Sequence, residues 1–464
     1  MSNTVIRLSS ISLENIKNVK KGTISMPYAN EKKNSYSGAE VLGIYGQNGS
    51  GKTAVVDALH FLQHFIIGDE IDNRILDYID SDSDKASVNT EFKIYRDDVV
   101  YEVGYYVEIA KGESSVYVNK ESLNCAVNSD GERTNKNVFI EYSRSDTDTV
   151  FKPQKRFDEL TGKDKEIFLD LLVAKKMAEK SNCSYIFGEN SREIFFANSN
   201  ELFLQYAFVI SSLYEFALKD LFVIRTSHSG AISANILLPM AFRVDKETVG
   251  MKGDLAISLT EPVVLDLERK ELLYDIVKQI NTVLYTIIPG MKIEVNDYGM
   301  QALDSGEDGY KLELMSIRDG KKAIPIRMES EGIIKIISIL NALIQAFGNP
   351  SICLVIDELD AGIFEYMLGE ILEIFNKSAK GQLIFTSHNL RALEMLDKNS
   401  LMFSTVNANN RYIHFKNVKG TNNLRKMFIR SITLGGQDED IYEQTDSLKI
   451  ARAFRKAGRS LKNE

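Results

Sequence analysis

Cysteine is scarce: Cys125, Cys183 and Cys353 stand far apart in 464 residues, so neither a disulfide framework nor a paired-cysteine zinc site is on offer. They read as plain core or surface thiols. No apolar run approaches the roughly 20 residues that span a bilayer. The opening Met-Ser-Asn-Thr-Val-Ile-Arg also lacks the apolar stretch and small-residue cleavage site of a secretory signal. A cytoplasmic chain with no membrane partner is expected. Excess positive charge is missing too. A net charge of −9 excludes a uniformly basic nucleic-acid coat, while leaving open a local basic groove where subunits assemble. Internal repeats and low-complexity tracts are absent.

What remains is ordinary globular usage, 44% hydrophobic and 26% charged, over a length that suits two or three domains of about 150 residues. Val5–Glu14 reads as a strand, and a turn at Lys20–Gly22 leads into a second, Thr23–Met26. Val41–Tyr45 is a short apolar run ending at glycine, and 54–67 switches to helical periodicity. Alternation from Ser87 to Val118 predicts an antiparallel layer. Helical patterns then dominate, at 163–180, 202–221 and 263–288, without a sustained heptad, which predicts an inserted helical domain and no long coiled coil. Strand signals return at 291–295 and 310–317, and Asp319-Gly320 turns into 323–326. Helix 332–347, strand 352–356, helix 363–375 and strand 382–386 read as parallel βα units. The expected division is 1–150 (head, N-terminal lobe), 151–290 (helical insertion), 291–420 (head, C-terminal lobe) and 421–464 (extension with Arg425, Lys426, Arg430 and a basic closing helix carrying Arg452, Arg455, Lys456 and Arg459).

Gly46-Gln47-Asn48-Gly49-Ser50-Gly51-Lys52-Thr53 fits G-x-x-x-x-G-K-[ST] between an expected strand and an expected helix, the context that motif needs. Its glycines let backbone N–H groups close around phosphates, and the helix N-terminus adds a positive end. Lys52 neutralises the β and γ oxygens, and Thr53 can hold Mg²⁺. A chance glycine-rich turn is a poor competitor in that setting. Far downstream, Cys353–Ile356 delivers Asp357 and Glu358 at a strand end, where open α/β sheets place their ligands. Asp357 suits the Mg²⁺ shell, and Glu358 suits polarising a water beside the γ-phosphate. Alone, an apolar strand ending in Asp-Glu is more often a plain strand terminus; the phosphate loop reverses that weighting. Ser330 and Gly332 lie at a helix start suited to an anion, or to an ordinary Ser cap. Leu359-Asp360-Ala361-Gly362 follows Glu358, and His388 follows the next strand, where a histidine can reach a γ-phosphate.

Taken together, these residues resemble the ABC-type ATPase heads of the RecF, SMC and OLD proteins, over about 5–150 and 291–417. The resemblance implies an α/β fold: a P-loop NTPase with an ABC-type head, made of a mixed core sheet and an antiparallel β lobe, plus the inserted helical domain. It implies ATP and Mg²⁺ as ligands, with ATP clamped between two copies in a dimer or higher oligomer. Ser330 and Gly332 then stand for the signature that touches ATP on the opposite subunit, Asp360 for the D-loop aspartate and His388 for the switch histidine. Glu331 fills a place that is glycine in transporter signatures, giving the shorter S-x-G form. A Q-loop glutamine ligating the metal is expected between the lobes; Gln154 is the candidate, with Gln63 read as part of the helix after the phosphate loop. The stretches 42–59 and 357–366 look like bacterial abortive-infection ATPases, including AbiL-like systems, the phage anti-restriction-induced system and Septu-like pairs, which act with a separately encoded effector, commonly a nuclease.

Other acidic groups invite less. Asp80, Asp82, Asp84 and Glu91 match a calcium-loop template, but Lys85 replaces its glycine and Glu91 opens a strand. Glu294 with Asp297, or Asp438 with Asp440, follows no second sheet, so no nuclease domain is expected in this chain. The leading functional expectation is an ATP-hydrolysing sensor or scaffold of phage defence. The alternative is a DNA-repair or DNA-organising ATPase that binds nucleic acid; a transporter subunit is disfavoured by the large insert.

Overall fold

A computed structural model describes residues 4–29, 36, 38–113, 115–129, 132–162, 164–197, 201–246, 249–303, 305–416 and 423–460; the expected boundary at 420/421 lies outside them. In chain order the head begins with β1 (Val5–Ile16), β2 (Val19–Ser25), β3 (Glu40–Tyr45) and α1 (Lys52–Ile67). It continues with β4 (Lys85–Arg96), β5 (Val99–Lys111), β6 (Val116–Ser129), β7 (Glu132–Arg133) and β8 (Asn137–Ser143). Helices α2 (Gln154–Thr161), α3 (Lys165–Ser181), α4 (Glu189–Ala197) and α5 (Glu201–Glu215) follow, then β9 (Leu221–Ile224) and α6 (Thr226–Ser233). Next come β10 (Leu237–Lys246), β11 (Val249–Ser258), β12 (Val263–Leu265), α7 (Leu267–Ile287), β13 (Met291–Ala302), β14 (Asp308–Arg318) and β15 (Ile324–Pro325). The chain closes with α8 (Glu331–Gly348), β16 (Cys353–Ile356), α9 (Glu365–Ser378), β17 (Gln382–Thr386), α10 (Ala392–Met395), β18 (Leu401–Ser404), β19 (Tyr412–Ile413), α11 (Leu424–Leu434) and α12 (Ser447–Ser460).

Two sheets carry the head. The core sheet runs β19-β18-β3-β17-β16-β9, parallel except for the β18–β19 pair. Strands β3, β16 and β17 are buried along their whole length, which is why they read as continuous apolar runs. The second sheet is antiparallel, β2-β1-β4-β5-β6-β7 with β8 on β6, and its alternating pattern matches the expected antiparallel lobe. A buried polar network joins the two. The Arg7 guanidinium meets the Glu40 carboxylate at 2.9 Å, with side-chain exposures of 4% and 7%. Gln382 receives the Leu8 N–H at 2.9 Å and donates to the Leu8 carbonyl at 2.8 Å and to Glu40 at 2.7 Å.

The segment expected as a helical insertion, 151–290, carries α2–α7 but also the strands β9–β12. Helices α2–α5 stack on the antiparallel sheet, pinned by the buried Glu121 carboxylate, which accepts from Tyr105 Oη, Ser184 Oγ and the Tyr185 N–H at 2.6 Å each. Beyond them the helix expected over 202–221 stops short, α5 ending at Glu215, and Leu221–Ile224 is an edge strand of the core sheet. The β10–β11 hairpin and the small sheet β12-β14-β13 then pack with α7 and α8 around a separate core. A short apolar run cannot be assigned to strand or buried helix by periodicity alone. Helix α7 likewise starts later than its pattern, at Leu267, because Asp266 caps it by accepting from the Arg269 N–H at 2.8 Å.

Helix α8 is, among the described residues, long and apolar enough to cross a membrane by length and composition, but 67% of its 18-residue window is buried inside the molecule. It is a core helix. Removing Arg7 would strand the Glu40 charge inside the protein. Arg7→Ala should therefore lower stability by about 3–5 kcal/mol, read as a shifted urea midpoint with unchanged slope.

Candidate nucleotide site

Parallel pairing brings the carboxyl ends of β3, β17 and β16 to one edge, and the chemistry-bearing loops follow from there. Lys17, Asn18, Asn48, Gly49, Gly51, Lys52, Thr53, Asp357, Glu358 and His388 line a cleft of roughly 400 Å³ at that edge. The expected motif residues of the phosphate loop and of the Asp357-Glu358 pair thus meet in one place.

The phosphate loop runs from Gly46 to Thr53. Gly51 has φ +88, a left-handed conformation that side chains resist, and a Cβ there would sit 2.8 Å from Val19. Lys52 opens α1 and is nearly buried; its ammonium donates to the carbonyls of Gly46 and Gln47 at 2.9 Å each. Burial holds its pKa below the ordinary lysine value against the pull of Asp357, Glu358 and Asp360. Ser50, itself buried, donates to the Gln47 carbonyl at 2.7 Å and so braces the loop from inside.

Asp357 is 1% exposed. Its Oδ1 accepts from Thr386 Oγ1 at 2.5 Å and from Thr53 Oγ1 at 3.4 Å, while its Oδ2 is buried without a hydrogen-bond partner. A buried carboxylate oxygen left unpaired is costly, and an orphan beside the Thr53 hydroxyl at the mouth of a phosphate loop fits Mg²⁺. That ion uses one or two protein ligands and completes its shell with phosphate and water. Accordingly, the described residues hold no cluster of His, Cys, Asp and Glu able to enclose a metal by themselves.

Glu358 adopts a left-handed conformation, φ 50. Such strain persists only where neighbours over-determine it. Here its N–H donates to Thr386 Oγ1 at 2.8 Å, and its carbonyl accepts from Lys335 Nζ at 2.5 Å. Glu358 lines the cleft. His388 lies opposite, and its N–H donates to Asp360 Oδ2 at 3.2 Å. Burial, together with the Lys52 charge, pulls the His388 imidazole below its ordinary pKa against the opposing pull of Asp360, Glu358 and Asp357. Held below its ordinary value of about 6.5, the imidazole is neutral near pH 7.

Ser330 and Gly332 are elsewhere. Ser330 caps α8, is exposed, makes no side-chain cap hydrogen bond and does not line the cleft. Gly332 packs backbone to backbone on the loop after Glu358: a Cβ would lie 1.9 Å from the Gly362 carbonyl oxygen. The α8 terminus and the loop bearing Glu358 and Asp360 therefore form one unit.

Gln154 does not reach the site. It opens α2 just after the bridge that ties Lys152 to Glu141 at the edge of the antiparallel sheet, and its amide donates to Asp158 at 2.7 Å. Gln63 lies in α1, as read, and donates to the carbonyls of Ala217 and Leu221. The segment that leaves the core sheet beside Asp357 is instead Arg225–His228, since the Asp357 N–H donates to the Ile224 carbonyl. Two further cleft residues escaped the sequence reading, Lys17 and Asn18. They occupy the β1–β2 turn, which falls there and not at Lys20–Gly22. The signal was present in Asn15, Lys17 and Asn18, turn-prone residues of which Asn15 and Lys17 take positive φ. Three of the discounted acids are otherwise engaged: Asp80 pairs with Lys20, Glu91 with Lys136 and Asp297 with Lys270.

Residues 10–221 match the family model of an AAA domain. Among solved structures, the chain is similar to the Smc head domain of Pyrococcus furiosus with an extended coiled coil, bound to the C-terminal domain of ScpA; identity is 14%, coverage 88% of this chain and 96% of that one, TM-score 0.41. It is similar to the SMC head domain from Thermotoga maritima at 13% identity, coverage 88% and 99%, TM-score 0.35. To the recombination mediator protein RecF with ATP, identity is 12%, coverage 83% and 92%, TM-score 0.34. No curated protein matches the chain.

Two tests follow from this geometry. Gly332→Ala should push the Gly362 loop away and cut turnover by tenfold or more, of the order of 1.4 kcal/mol, with little change in nucleotide affinity, measured by steady-state hydrolysis beside equilibrium binding. By NMR, His388 should titrate below the ordinary histidine value of about 6.5, and Lys52→Met should raise its midpoint by removing the repelling ammonium. The sign for stability is then set: the unfolded imidazole takes its proton first, so the neutral folded form loses stability as pH falls below about 6.5.

Proposed function

We propose that the chain is a Mg²⁺-dependent ATP hydrolase with an ABC-type head of the RecF and SMC-like group, working as a dimer or higher oligomer that clamps ATP between copies. The observation that carries the reading is the meeting of the Gly46–Thr53 loop, Asp357, Glu358 and His388 in one cleft, with Ser330 displayed outside it. In this reading the loop N–H groups and Lys52 hold the β and γ phosphates. Thr53 and Asp357 supply the protein ligands of Mg²⁺, which neutralises phosphate charge. Glu358 orients and polarises the attacking water, and neutral His388 hydrogen-bonds a γ-phosphate oxygen.

One copy lacks a lid for that phosphate. The α8 N-terminus offers unpaired N–H groups and the positive end of its dipole, and exposed Met328 and Phe364 stand beside it, 69% and 67% accessible. A second copy covering this apolar surface would bring Ser330 to the first copy's nucleotide. Asp360, which holds the His388 backbone, would sit at the same junction.

The finer reading places this ATPase in anti-phage defence, as a cytoplasmic sensor or scaffold acting with a separately encoded effector nuclease. It rests on the sequence around Lys52 and Asp357. The DNA-repair or DNA-organising reading has one structural observation in its favour, the exposed basic side chains Lys449, Arg452, Arg455 and Lys456 of α12.

Lys52→Ala should abolish ATP binding, and Glu358→Gln should bind ATP yet turn over at least roughly a hundredfold more slowly, measured by fluorescent-nucleotide binding and phosphate release. Glu358→Gln should also dimerise on ATP, and adding Ser330→Arg should abolish that dimer while leaving nucleotide affinity within a few fold. Unchanged hydrolysis in Lys52→Ala and Glu358→Gln would remove this active site.

A further inference from the structure

The turn that carries Glu358 and Asp360 is held by a charge from outside it. Among the buried residues of α8, Lys335 alone carries a charge, and it is 3% exposed. Its ammonium makes no ion pair among the described residues and donates to the Glu358 carbonyl at 2.5 Å. The same carbonyl closes the turn after β16 by accepting the Ala361 N–H at 3.0 Å. Burial holds the Lys335 pKa below the ordinary lysine value against the opposing pull, in falling order, of Asp360, Glu358, Asp357 and Glu331. Asp360, the strongest of these charges, keeps Oδ1 buried without a hydrogen-bond partner, while its Oδ2 accepts from the His388 N–H at 3.2 Å.

Packing alone does not call for a lysine there. Taking an ammonium out of water without a paired carboxylate is unfavourable, and an apolar chain of similar length would fill the space without that penalty. What the lysine adds is a donor and a positive charge beside Glu358. A non-glycine residue at φ 50 is kept there by its surroundings. From outside its own turn Glu358 has two hydrogen-bonded supports, the Thr386 hydroxyl on its N–H and Lys335 on its carbonyl. Thr386 is shared with Asp357, to which it donates at 2.5 Å, so Lys335 is the support directed at this turn. Backbone conformation sets which way a side chain leaves the chain. A Glu358 backbone released from φ 50 would therefore carry its carboxylate away from the attacking water, and a misplacement of about 1 Å costs on the order of a hundredfold in rate.

We propose that Lys335 is a positioning residue for ATP hydrolysis, fixing the Glu358 side chain against the attacking water through the Glu358 carbonyl and the charge of Asp360. This role rests on the active site proposed above. Lys335 does not line the cleft, so it acts on the chemical step and not on nucleotide binding. Being buried, it also offers nothing to a second copy, unlike exposed Ser330 at the start of the same helix.

The test combines single-turnover hydrolysis, equilibrium ATP binding and ATP-driven dimer formation on the full chain. Lys335→Met keeps the length of the side chain and removes its charge. It should hydrolyse roughly ten- to a hundredfold more slowly, with ATP affinity and dimer formation within about threefold of wild type. Lys335→Arg restores a charge and a donor and should recover most of the rate. Lys335→Met combined with Glu358→Gln should turn over within about threefold of Glu358→Gln alone, because a residue that acts through another adds little once that other is gone. Should circular dichroism show Lys335→Met unfolded, Lys335→Gln takes its place with the same expected outcomes. A Lys335→Met rate within about threefold of wild type overturns the proposal. So does a rate loss matched by an equal loss of ATP affinity or of the dimer, a Lys335→Arg no faster than Lys335→Met, or losses that multiply in the double variant. Unchanged hydrolysis in Glu358→Gln would instead remove the active site itself, whereas a slow Glu358→Gln beside a fast Lys335→Met removes the role of Lys335 alone.

Discussion

Parallel register is the constraint on which the rest of the molecule depends. Strands β3, β17, β16 and β9 pair side by side in one direction, so the residues that leave them, Gly46, Ser387, Asp357 and Arg225, emerge at one edge although the sequence separates them by hundreds of positions. The strands are apolar because both faces are covered, and polar groups are therefore displaced to their ends. Asp357 is the exception that shows the rule. It sits just past the buried strand, where Thr386 and Thr53 satisfy one oxygen and leave the other for a cation. A slip of one residue in β16 would turn that carboxylate away from the phosphate loop.

The loop itself is clamped from both sides. From the antiparallel lobe, Val19 presses on Gly51, and Asn18 donates to the Gly49 carbonyl. From the far edge of the core sheet, Tyr412 Oη donates to the Gly51 carbonyl at 2.6 Å. Arg411 closes the circuit by donating to the Asn18 carbonyl at 2.5 Å. These contacts work only if the two sheets hold a fixed relation, and the buried Arg7, Glu40 and Gln382 network supplies it. A buried charge pair is not in itself strong stabilisation. Its service here is positional, because Gln382 bonds both the β1 backbone and the Glu40 side chain.

Much of this was legible where meaning is local. The phosphate loop, the Asp357-Glu358 pair, the buried strands and the alternation of the antiparallel lobe all declare themselves within a few residues, because each obeys a short period or a fixed spacing. What was not legible depends on contacts between distant segments. Leu221–Ile224 has the same composition as a buried helix turn, and only its pairing with β16 makes it a strand. Gln154 was placed by its order in the chain, but order does not fix distance, and the Glu141–Lys152 bridge holds it on the outer lobe. Lys17 and Asn18 look like ordinary turn residues until the hairpin is seen to overhang the phosphate loop. Nothing in the local sequence marks Lys335, since a lysine in an apolar helix reads as a surface position. Its ammonium is buried, with its pKa pulled down by that burial against nearby carboxylates, and it ends on the Glu358 carbonyl.

That last contact explains how a helix end outside the cleft can govern chemistry within it. Capped by Ser330, helix α8 touches Gly362 through Gly332 and reaches the Glu358 carbonyl through Lys335. Both contacts fall within the first five residues of the helix, Glu331 to Lys335, so the helix end and the loop after β16 are packed as one piece. A displacement of the α8 terminus is therefore passed on to the Gly362 loop and to the backbone of Glu358. Glu358 sits in a left-handed conformation, and such a conformation persists only while its surroundings hold it.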